Sequence, residues 1–302
     1  MKRRMLGKIS CLSFLTAVAI FIVLPVEISS ITKTDIETSS TSNINKIPVN
    51  LSTSISTDVA NSFVNTKFSA QAKAIATSAS LESLSHNLGL YYPFLTVTSS
   101  DSLVADLATG EPVLDAKLQN GATVSSSNEL LLSSNQNQYL SIGAFTIADS
   151  GITFTSWFRS SNSGSGARIF DFGNGQSSDN IYMGLFEPTN ELSVVVFYNG
   201  NQNNRLDWVS NNVNTNEWHH AAWTISPTGD WIVYVDGSEV AQASGMVYPA
   251  TIARASNFLG KSNWNSDAYL NGGIRDFRMY NRILSAAEIE LLFTSTQVIS
   301  LS

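Results

Sequence analysis

Two segments of the chain combine tryptophan with amide and carboxylate side chains. Sugars present both apolar C–H patches and hydroxyl groups, so proteins hold them with flat aromatic rings placed beside hydrogen-bonding groups. The two segments therefore predict glycan binding, with the alternative that both tryptophans pack into the core. The candidate ligand-binding residues are Asn203, Asn204, Asp207 and Trp208 in the first segment, and Asn263, Trp264 and Asp267 in the second.

Residue patterns that would support catalysis are sparse. Glycoside hydrolysis needs two carboxylates on either side of the scissile bond. Glu187 and Glu191 are close in sequence, but Pro188 separates them and predicts a turn with solvated charges. His219 and His220 are adjacent, so on a strand they point to opposite faces. No glycine-rich loop precedes a helix in the way that phosphate binding requires. We therefore expect a protein that is not an enzyme.

The charge and the cysteine content exclude further classes. The chain carries a net charge of −7, and its first thirty residues carry +3, which leaves −10 on the rest. A net-acidic body argues against nucleic acid as a partner, because phosphate binding requires a basic face. The single cysteine, Cys11, lies in an N-terminal apolar run, so the body has no disulfide and no cysteine-ligated metal.

The N-terminal residues 1–30 have the layout of an export signal, with basic residues followed by an apolar run from Ile9 to Val26. This run is close to the ~20 residues that span a bilayer, so an uncleaved signal anchor is the alternative. In either case the body is expected outside the cytoplasm, secreted or tethered to a membrane. Residues 31–85 are rich in Ser and Thr and are predicted to form a flexible linker. The folded domain is predicted over residues 86–295, with a tail at 296–302.

The body is predicted to be all-β, because short β-branched and aromatic runs are separated by Asn, Gly, Ser and Asp clusters. Asp236-Gly237 suits a tight hairpin turn after the strand 231–235. Ser285 and Glu288 form a capping box, which predicts a short helix at 285–293. Trp157, Trp218 and Trp223 are expected in the core. The predicted strands are Tyr139–Ile142, Gly151–Arg159, Ala167–Phe172, Ile181–Phe186, Leu192–Tyr198, Leu206–Val209, Trp218–Ile225, Trp231–Val235, Glu239–Ala243, Phe258–Leu259 and Gly273–Tyr280.

Four stretches carry a resemblance to a known family. They are residues 91–94 with 118–124, residues 152–158, residues 218–224 with 233–237, and residues 259–264 with 270–285. Taken in this order they resemble the laminin G-like, or concanavalin A-like lectin/glucanase, domains. The resemblance implies an antiparallel two-sheet jelly-roll β-sandwich that ends in a short helix.

The resemblance also implies function. Members are mostly binding modules, and the members that hydrolyse glycosides carry a Glu-x-Asp-x-x-Glu run that this sequence lacks. Relatives often hold a structural Ca²⁺ ion, for which Asp276 and Asp106 are the candidate ligands here. Leu95 stands where many relatives have an acidic residue, and the alternative is that Asp276 pairs with a neighbouring arginine.

Together these observations favour a non-catalytic, extracytoplasmic module that recognises glycans or glycoproteins at a surface. One alternative is a protein-binding adhesion or structural module, which a large exposed apolar patch would favour. A glycoside hydrolase-like enzyme is the other alternative, and it would require an acidic pair facing one groove.

Overall fold

The structure is a computed structural model that describes residues 82–95, 97–98, 102–108, 110, 112–161, 163–186, 191–198, 204–209 and 212–299. The predicted signal or anchor segment lies outside the described residues, as do positions 31–81 of the predicted linker, Asn203 and Glu187. The last linker positions pack against the folded body, where Leu84 is buried against the C-terminal helix. No helix within the described ranges is both long enough and apolar enough to cross a bilayer.

Strands dominate the described residues, and one α-helix, α1 (Ala286–Ile299), follows the last of them. The strands are, in chain order, β1 Leu88–Tyr92, β2 Val97–Thr98, β3 Leu103–Val104, β4 Ala116–Gln119, β5 Thr123–Val124, β6 Leu130–Leu132, β7 Tyr139–Ile142, β8 Phe145–Thr146, β9 Ile152–Ser160, β10 Arg168–Gly173, β11 Ile181–Phe186, β12 Glu191–Val196, β13 Arg205–Trp208, β14 His219–Ile225, β15 Trp231–Val235, β16 Ser238–Ala243, β17 Ala253–Arg254, β18 Ser256–Leu259 and β19 Gly272–Tyr280.

These strands form two large antiparallel sheets. The first sheet has the order β16-β15-β14-β9-β19-β6-β5, with β1 also paired to β19. The second sheet has the order β13-β12-β11-β10-β18-β7-β4-β3-β2, and β17 pairs with β8 apart from both. The predicted fold class, an all-β two-sheet jelly roll with a C-terminal helix, is therefore confirmed.

The core lies between the two sheets because each long strand alternates its side chains. In β15, Trp231, Val233 and Val235 belong to the core cluster between the sheets, whereas Ile232 and Tyr234 belong to a second cluster on the outer face of the first sheet. Trp223, predicted in the core, is fully buried there. Each fully buried large apolar side chain contributes about 1.5–3 kcal/mol.

Every predicted strand corresponds to an observed strand, with ends that differ by at most two residues. The strands that strand propensity did not predict include β1 with five residues and β4 with four, together with two-residue strands such as β3 and β5. A two-residue strand shows no alternation, so its pairing is set by the neighbours that it meets in the fold rather than by its own sequence.

Helix α1 covers part of the outer face of the first sheet. Its capping box forms as predicted: the Ser285 amide donates to Glu288 at 2.9 Å, and the Glu288 amide donates to the Ser285 hydroxyl at 3.3 Å. Ile289 and Leu292 are buried against the sheet. Trp157 is buried on this outer face, where its ring stacks on Phe293 at 5.5 Å, rather than between the sheets.

The Asp236-Gly237 turn lies in close contact with α1, and substitutions in this turn test that contact. Both residues have positive φ, and a Cβ at Gly237 would lie 2.9 Å from the Phe293 ring. Gly245 also has positive φ but has nothing within 4 Å of such a Cβ. Each glycine-to-alanine change carries the backbone cost of about 1–2 kcal/mol, and Gly237→Ala adds a clash with the helix. We expect Gly237→Ala to lower the free energy of unfolding in urea by more than Gly245→Ala, and equal losses would contradict this docking.

His220 lies beneath the same helix, and its burial makes the free energy of unfolding depend on pH. Burial against Trp157 and Phe293 lowers the pKa of His220 to about 4, while an unfolded histidine titrates near pH 6.5. As the pH falls below about 6.5, His220 is protonated in the unfolded chain but stays neutral in the folded chain. The free energy of unfolding therefore declines down to about pH 4. His220→Phe should flatten the dependence of the unfolding free energy on pH between pH 7 and pH 5. An unchanged slope in His220→Phe would contradict the assignment.

Candidate functional site

The second predicted segment forms a loop, residues 260–271, between β18 and β19. Its base closes where the Leu270 amide donates to the Gly260 carbonyl at 3.0 Å, and Gly260 adopts a φ of +82°. The Gly260 amide in turn donates to the carbonyl of Ile169 in β10. These bonds attach the loop to the second sheet.

A buried carboxylate anchors the loop. Asp171, on β10, accepts hydrogen bonds from the Asn263 amide at 2.8 Å, from Asn263 Nδ2 at 2.9 Å and from Asn180 Nδ2 at 2.9 Å. Asp171 is fully buried, and this burial raises its pKa, although the hydrogen bonds from Asn263 oppose the rise. The side chain of Asn263, predicted to bind ligand, is thus engaged in holding the loop.

Asp267 completes the loop with an ion pair. Its Oδ2 lies 2.9 Å from Arg168 Nη2 and also accepts a hydrogen bond from the Ser262 hydroxyl at 2.8 Å. Arg168 is almost fully buried, and its guanidinium carbon sits 4.1 Å from the centre of the Tyr182 ring. Asp267 therefore neutralises a cation that has left water, which is costly to leave unpaired.

Trp264 lies at the turn of the loop and is half-buried. Its ring meets Tyr182 edge-on at 5.8 Å and Phe197 at 5.5 Å. The next two residues, Asn265 and Ser266, are exposed. The loop therefore places an aromatic ring beside polar groups that reach solvent, which is the combination that sugar recognition requires.

The first predicted segment divides between the two faces of the second sheet. Asp207, on β13, accepts hydrogen bonds at 2.6 Å from the Ser193 hydroxyl and from Arg205 Nε. Arg205 also lies over the Phe186 ring at 4.1 Å. Trp208 points the other way and packs against the core between the sheets. Because side chains alternate along β13, Asp207 and Trp208, which the sequence predicted in one binding site, lie on opposite faces of the sheet.

Of the four candidate residues in the first segment, the structure places only Asp207 on the same face as Trp264. Asn204 is half-buried, and its carbonyl accepts a hydrogen bond from the Val196 amide at the β12–β13 connection. Asn203 lies outside the described residues. Asp207 and Trp264 do share the outer face of the second sheet, with Tyr182 and Phe186 on the strand between them.

A second aromatic cluster on this face escaped sequence analysis. Tyr139 on β7 meets Phe258 on β18 edge-on at 5.4 Å and the loop residue Tyr269 at 6.0 Å. The ammonium of Lys261 lies 4.0 Å from the centre of the Phe258 ring. The sequence signal was available: Tyr139 and Phe258 stand at strand positions opposite in parity to the buried Leu140 and Leu259.

We call this surface the aromatic face. It comprises the outer side of the second sheet with the 260–271 loop, and its rings are half-buried apart from the buried Tyr182. Three cations, Arg168, Arg205 and Lys261, lie against these rings. The rings are Tyr139, Tyr182, Phe186, Phe258, Trp264 and Tyr269.

The two candidate calcium ligands contact opposite ends of Tyr91. Asp106 accepts hydrogen bonds from the amides of Tyr91, Ala108 and Leu114, whereas Asp276 pairs with Arg278 at 2.9 Å, beside the Tyr91 hydroxyl. Calcium needs six to eight oxygen ligands around one point, and these two residues as placed do not offer a shared set. Among the described residues no group of three or more His, Cys, Asp or Glu is arranged to hold a metal. Calcium stays a prediction of the sequence.

A family model described as the concanavalin A-like lectin/glucanases superfamily matches residues 134–290, just over half of the chain. The chain belongs to this superfamily. The match agrees with the sandwich topology and with the resemblance in the sequence. No curated protein is similar enough in sequence to match the chain.

Solved structures share the fold at low sequence identity. Domain 4 of an extracellular arabinanase from Geobacillus stearothermophilus, solved with arabinotriose, aligns with a TM-score of 0.50 and 16% identity, over 68% of this chain and 97% of that one. The binding domain of botulinum neurotoxin DC, in complex with SialylT, aligns with a TM-score of 0.52 and 14% identity, over 70% of this chain and 51% of that one.

Trypanosoma rangeli sialidase aligns with a TM-score of 0.52 and 14% identity in its complex with sialic acid. The chain covers 70% of its own length there but only 33% of the sialidase. At these identities the likeness shows the fold alone.

Two ion pairs on the aromatic face give a matched test of what holds the loop. The Arg168–Asp267 pair has side chains 3% and 21% exposed, and the Arg205–Asp207 pair has side chains 37% and 31% exposed. Asp267→Asn leaves a buried cation unpaired and should cost about 3 kcal/mol of unfolding free energy. Asp207→Asn should cost under about 1 kcal/mol. Hydrogen exchange should quicken in residues 260–271 of Asp267→Asn alone, and similar costs for both variants would refute the loop's dependence on Asp267.

Proposed function

We propose that the chain is a non-catalytic, extracytoplasmic module that binds glycans or glycoproteins through its aromatic face. The observation that carries the proposal is the 260–271 loop, which sets the half-buried ring of Trp264 beside the exposed Asn265 and Ser266. A sugar ring stacks its C–H groups on such an aromatic ring and exchanges hydrogen bonds with the neighbouring amide and hydroxyl.

The second aromatic cluster extends this surface. Tyr139, Phe258 and Tyr269 are each half-buried, so each leaves part of its ring to solvent. The ammonium of Lys261 lies against the Tyr139 and Phe258 rings, and burial lowers the pKa of this lysine. A surface with two separated groups of rings suits an oligosaccharide, in which two sugar units stack at different points.

The carboxylates of the aromatic face support binding rather than hydrolysis. A glycosidase needs one carboxyl group to protonate the leaving oxygen and another to act as nucleophile or base. Asp171 is fully buried, and Asp207 and Asp267 are paired with arginines. Each of these three carboxylates therefore already has a structural role.

The relatives support the class of ligand. The arabinanase domain was solved with arabinotriose, and the neurotoxin binding domain was solved with SialylT. Both are carbohydrate complexes of proteins with this fold. We extend that ligand class to this chain on the strength of the aromatic face, since the fold alone does not choose a function.

The proposed location rests on the N-terminal sequence. A basic stretch followed by an apolar run supports export, and the Ser/Thr-rich residues 31–81 support a stalk that holds the binding domain away from a membrane or cell surface.

Binding of the full chain to a glycan array tests the proposal. We expect saturable binding to a subset of glycans, and we expect Trp264→Ala to weaken it by about tenfold or more because a stacking ring is lost. Ile283→Ala is the control, since Ile283 is an exposed apolar residue in the connection between β19 and α1, outside the aromatic face. Equal melting temperatures would show that both variants fold.

The same array tests calcium when it is repeated with calcium and with a chelator. Binding that disappears with the chelator would support a calcium-dependent module. An absence of glycan binding in both conditions would contradict the proposal and favour the protein-adhesion alternative.

A further inference from the structure

Trp218, which the sequence analysis assigned to the core, is half-buried on the outer face of the first sheet. The guanidinium carbon of Arg275 lies 4.0 Å from the centre of its ring, and that of Arg159 lies 5.5 Å away. Both arginines pair with the same carboxylate, Glu129, at 3.4 Å and 2.6 Å. The two arginines thus share one buried carboxylate.

A pocket of about 320 Å³ opens beside this cluster. Arg159 is the one charged residue in its lining, and the other lining side chains are amides, hydroxyls and two leucines. The volume lies at the lower end of the range for small-molecule pockets, so the pocket suits a small ligand. The lining consists of Leu131, Leu132, Ser133, Gln138, Arg159, Ser161, Asn216, Asn271 and Gly272.

The guanidinium of Arg159 is held in place but not saturated. Its Nε and Nη2 donate to Glu129 Oε1 at 2.7 Å and 2.6 Å, and its Nη1 donates to Asn216 Oδ1 at 2.8 Å. An arginine side chain has five N–H groups, so one N–H on each Nη is left over. Unused guanidinium N–H groups are donors that a carboxylate accepts well.

The wall that carries Asn216 is fixed as well. The Asn216 amide donates to the Ser160 carbonyl, and Thr215 pairs with Ser161 across an isolated β-bridge. The neighbouring Arg275 keeps a buried Nε without a hydrogen-bond partner, so the cluster has donors that the described residues do not use. The pocket is therefore preformed and favours an anion.

We propose that this pocket is a second carbohydrate site, which binds a sugar unit bearing a carboxylate. The carboxylate would face the Arg159 guanidinium, and the sugar hydroxyls would face the amides and hydroxyls of Asn216, Asn271, Ser133 and Ser161. This pocket uses β6, β9 and β19 of the first sheet and shares only Asn271, the last residue of the 260–271 loop, with the aromatic face. Its charged group, Arg159, and the rings of the aromatic face are different residues, so either proposal can fail without the other.

The test is a titration of the full chain with methyl glucuronide and with methyl glucoside. These two probes differ only in a carboxylate against a hydroxymethyl group. We expect saturable binding of the glucuronide, weakened by added salt, and binding of the glucoside that is weaker by about tenfold or more. Failure to bind the glucuronide, or equal binding of both probes, would overturn the proposal.

Asn216→Asp is the decisive variant. Asparagine and aspartate have the same shape and both tolerate the φ of +68° at this position, while the new carboxylate would neutralise Arg159. We expect glucuronide affinity to fall by about tenfold or more with the fold intact.

Asn87→Asp is the matched control, because Asn87 is exposed, has a φ of +54° and lies outside the pocket lining. It should bind glucuronide like the unmodified chain. Unchanged affinity in Asn216→Asp, or the same loss in both variants, would show that the pocket does not hold the carboxylate.

Discussion

The candidate site depends on the hydrogen bonds that the buried carboxylate of Asp171 accepts. This carboxylate lies near the middle of the second sheet, with no access to solvent, and its oxygens accept hydrogen bonds from Asn180 and Asn263. A charged group in such a place is tolerated only when donors surround it. The donors come from the two segments that the sheet must organise, the turn before β11 and the 260–271 loop. The position of Trp264 therefore follows from a polar contact beneath it.

The two sheets share one core but have different outer faces. On the first sheet, α1 buries Trp157 and His220, and the uncovered part holds the cluster of Trp218, Arg159 and Arg275. On the second sheet, the 260–271 loop takes the place that the helix has on the first. A loop leaves more ring surface and more polar groups exposed than a packed helix does, which is why we place the main binding surface there.

The fold was predictable because its signals are local. The alternation in β15, the positive φ at Asp236 and Gly237, and the capping box at Ser285 each depend on a few adjacent residues. The resemblance to the concanavalin A-like domains added the two-sheet jelly-roll arrangement to these local signals.

The site was only partly predictable because it depends on register. Trp208 and Trp264 both stand among polar residues, yet the parity of β13 sends Trp208 into the core while the loop keeps Trp264 outside. The Tyr139–Phe258 pair joins strands more than a hundred residues apart, through the β7–β18 pairing. Asp106 and Asp276 are both near Tyr91, but only the structure shows that they lie at its opposite ends.

The most direct test of the central claim is to follow the six tryptophan indole N–H signals by NMR while a glycan that binds on the array is added. The account predicts that the Trp264 signal shifts with saturation and that the fully buried Trp223 and Trp231 signals stay in place. A titration in which the Trp264 signal does not move, although the glycan binds, would contradict the assignment of glycan binding to the aromatic face.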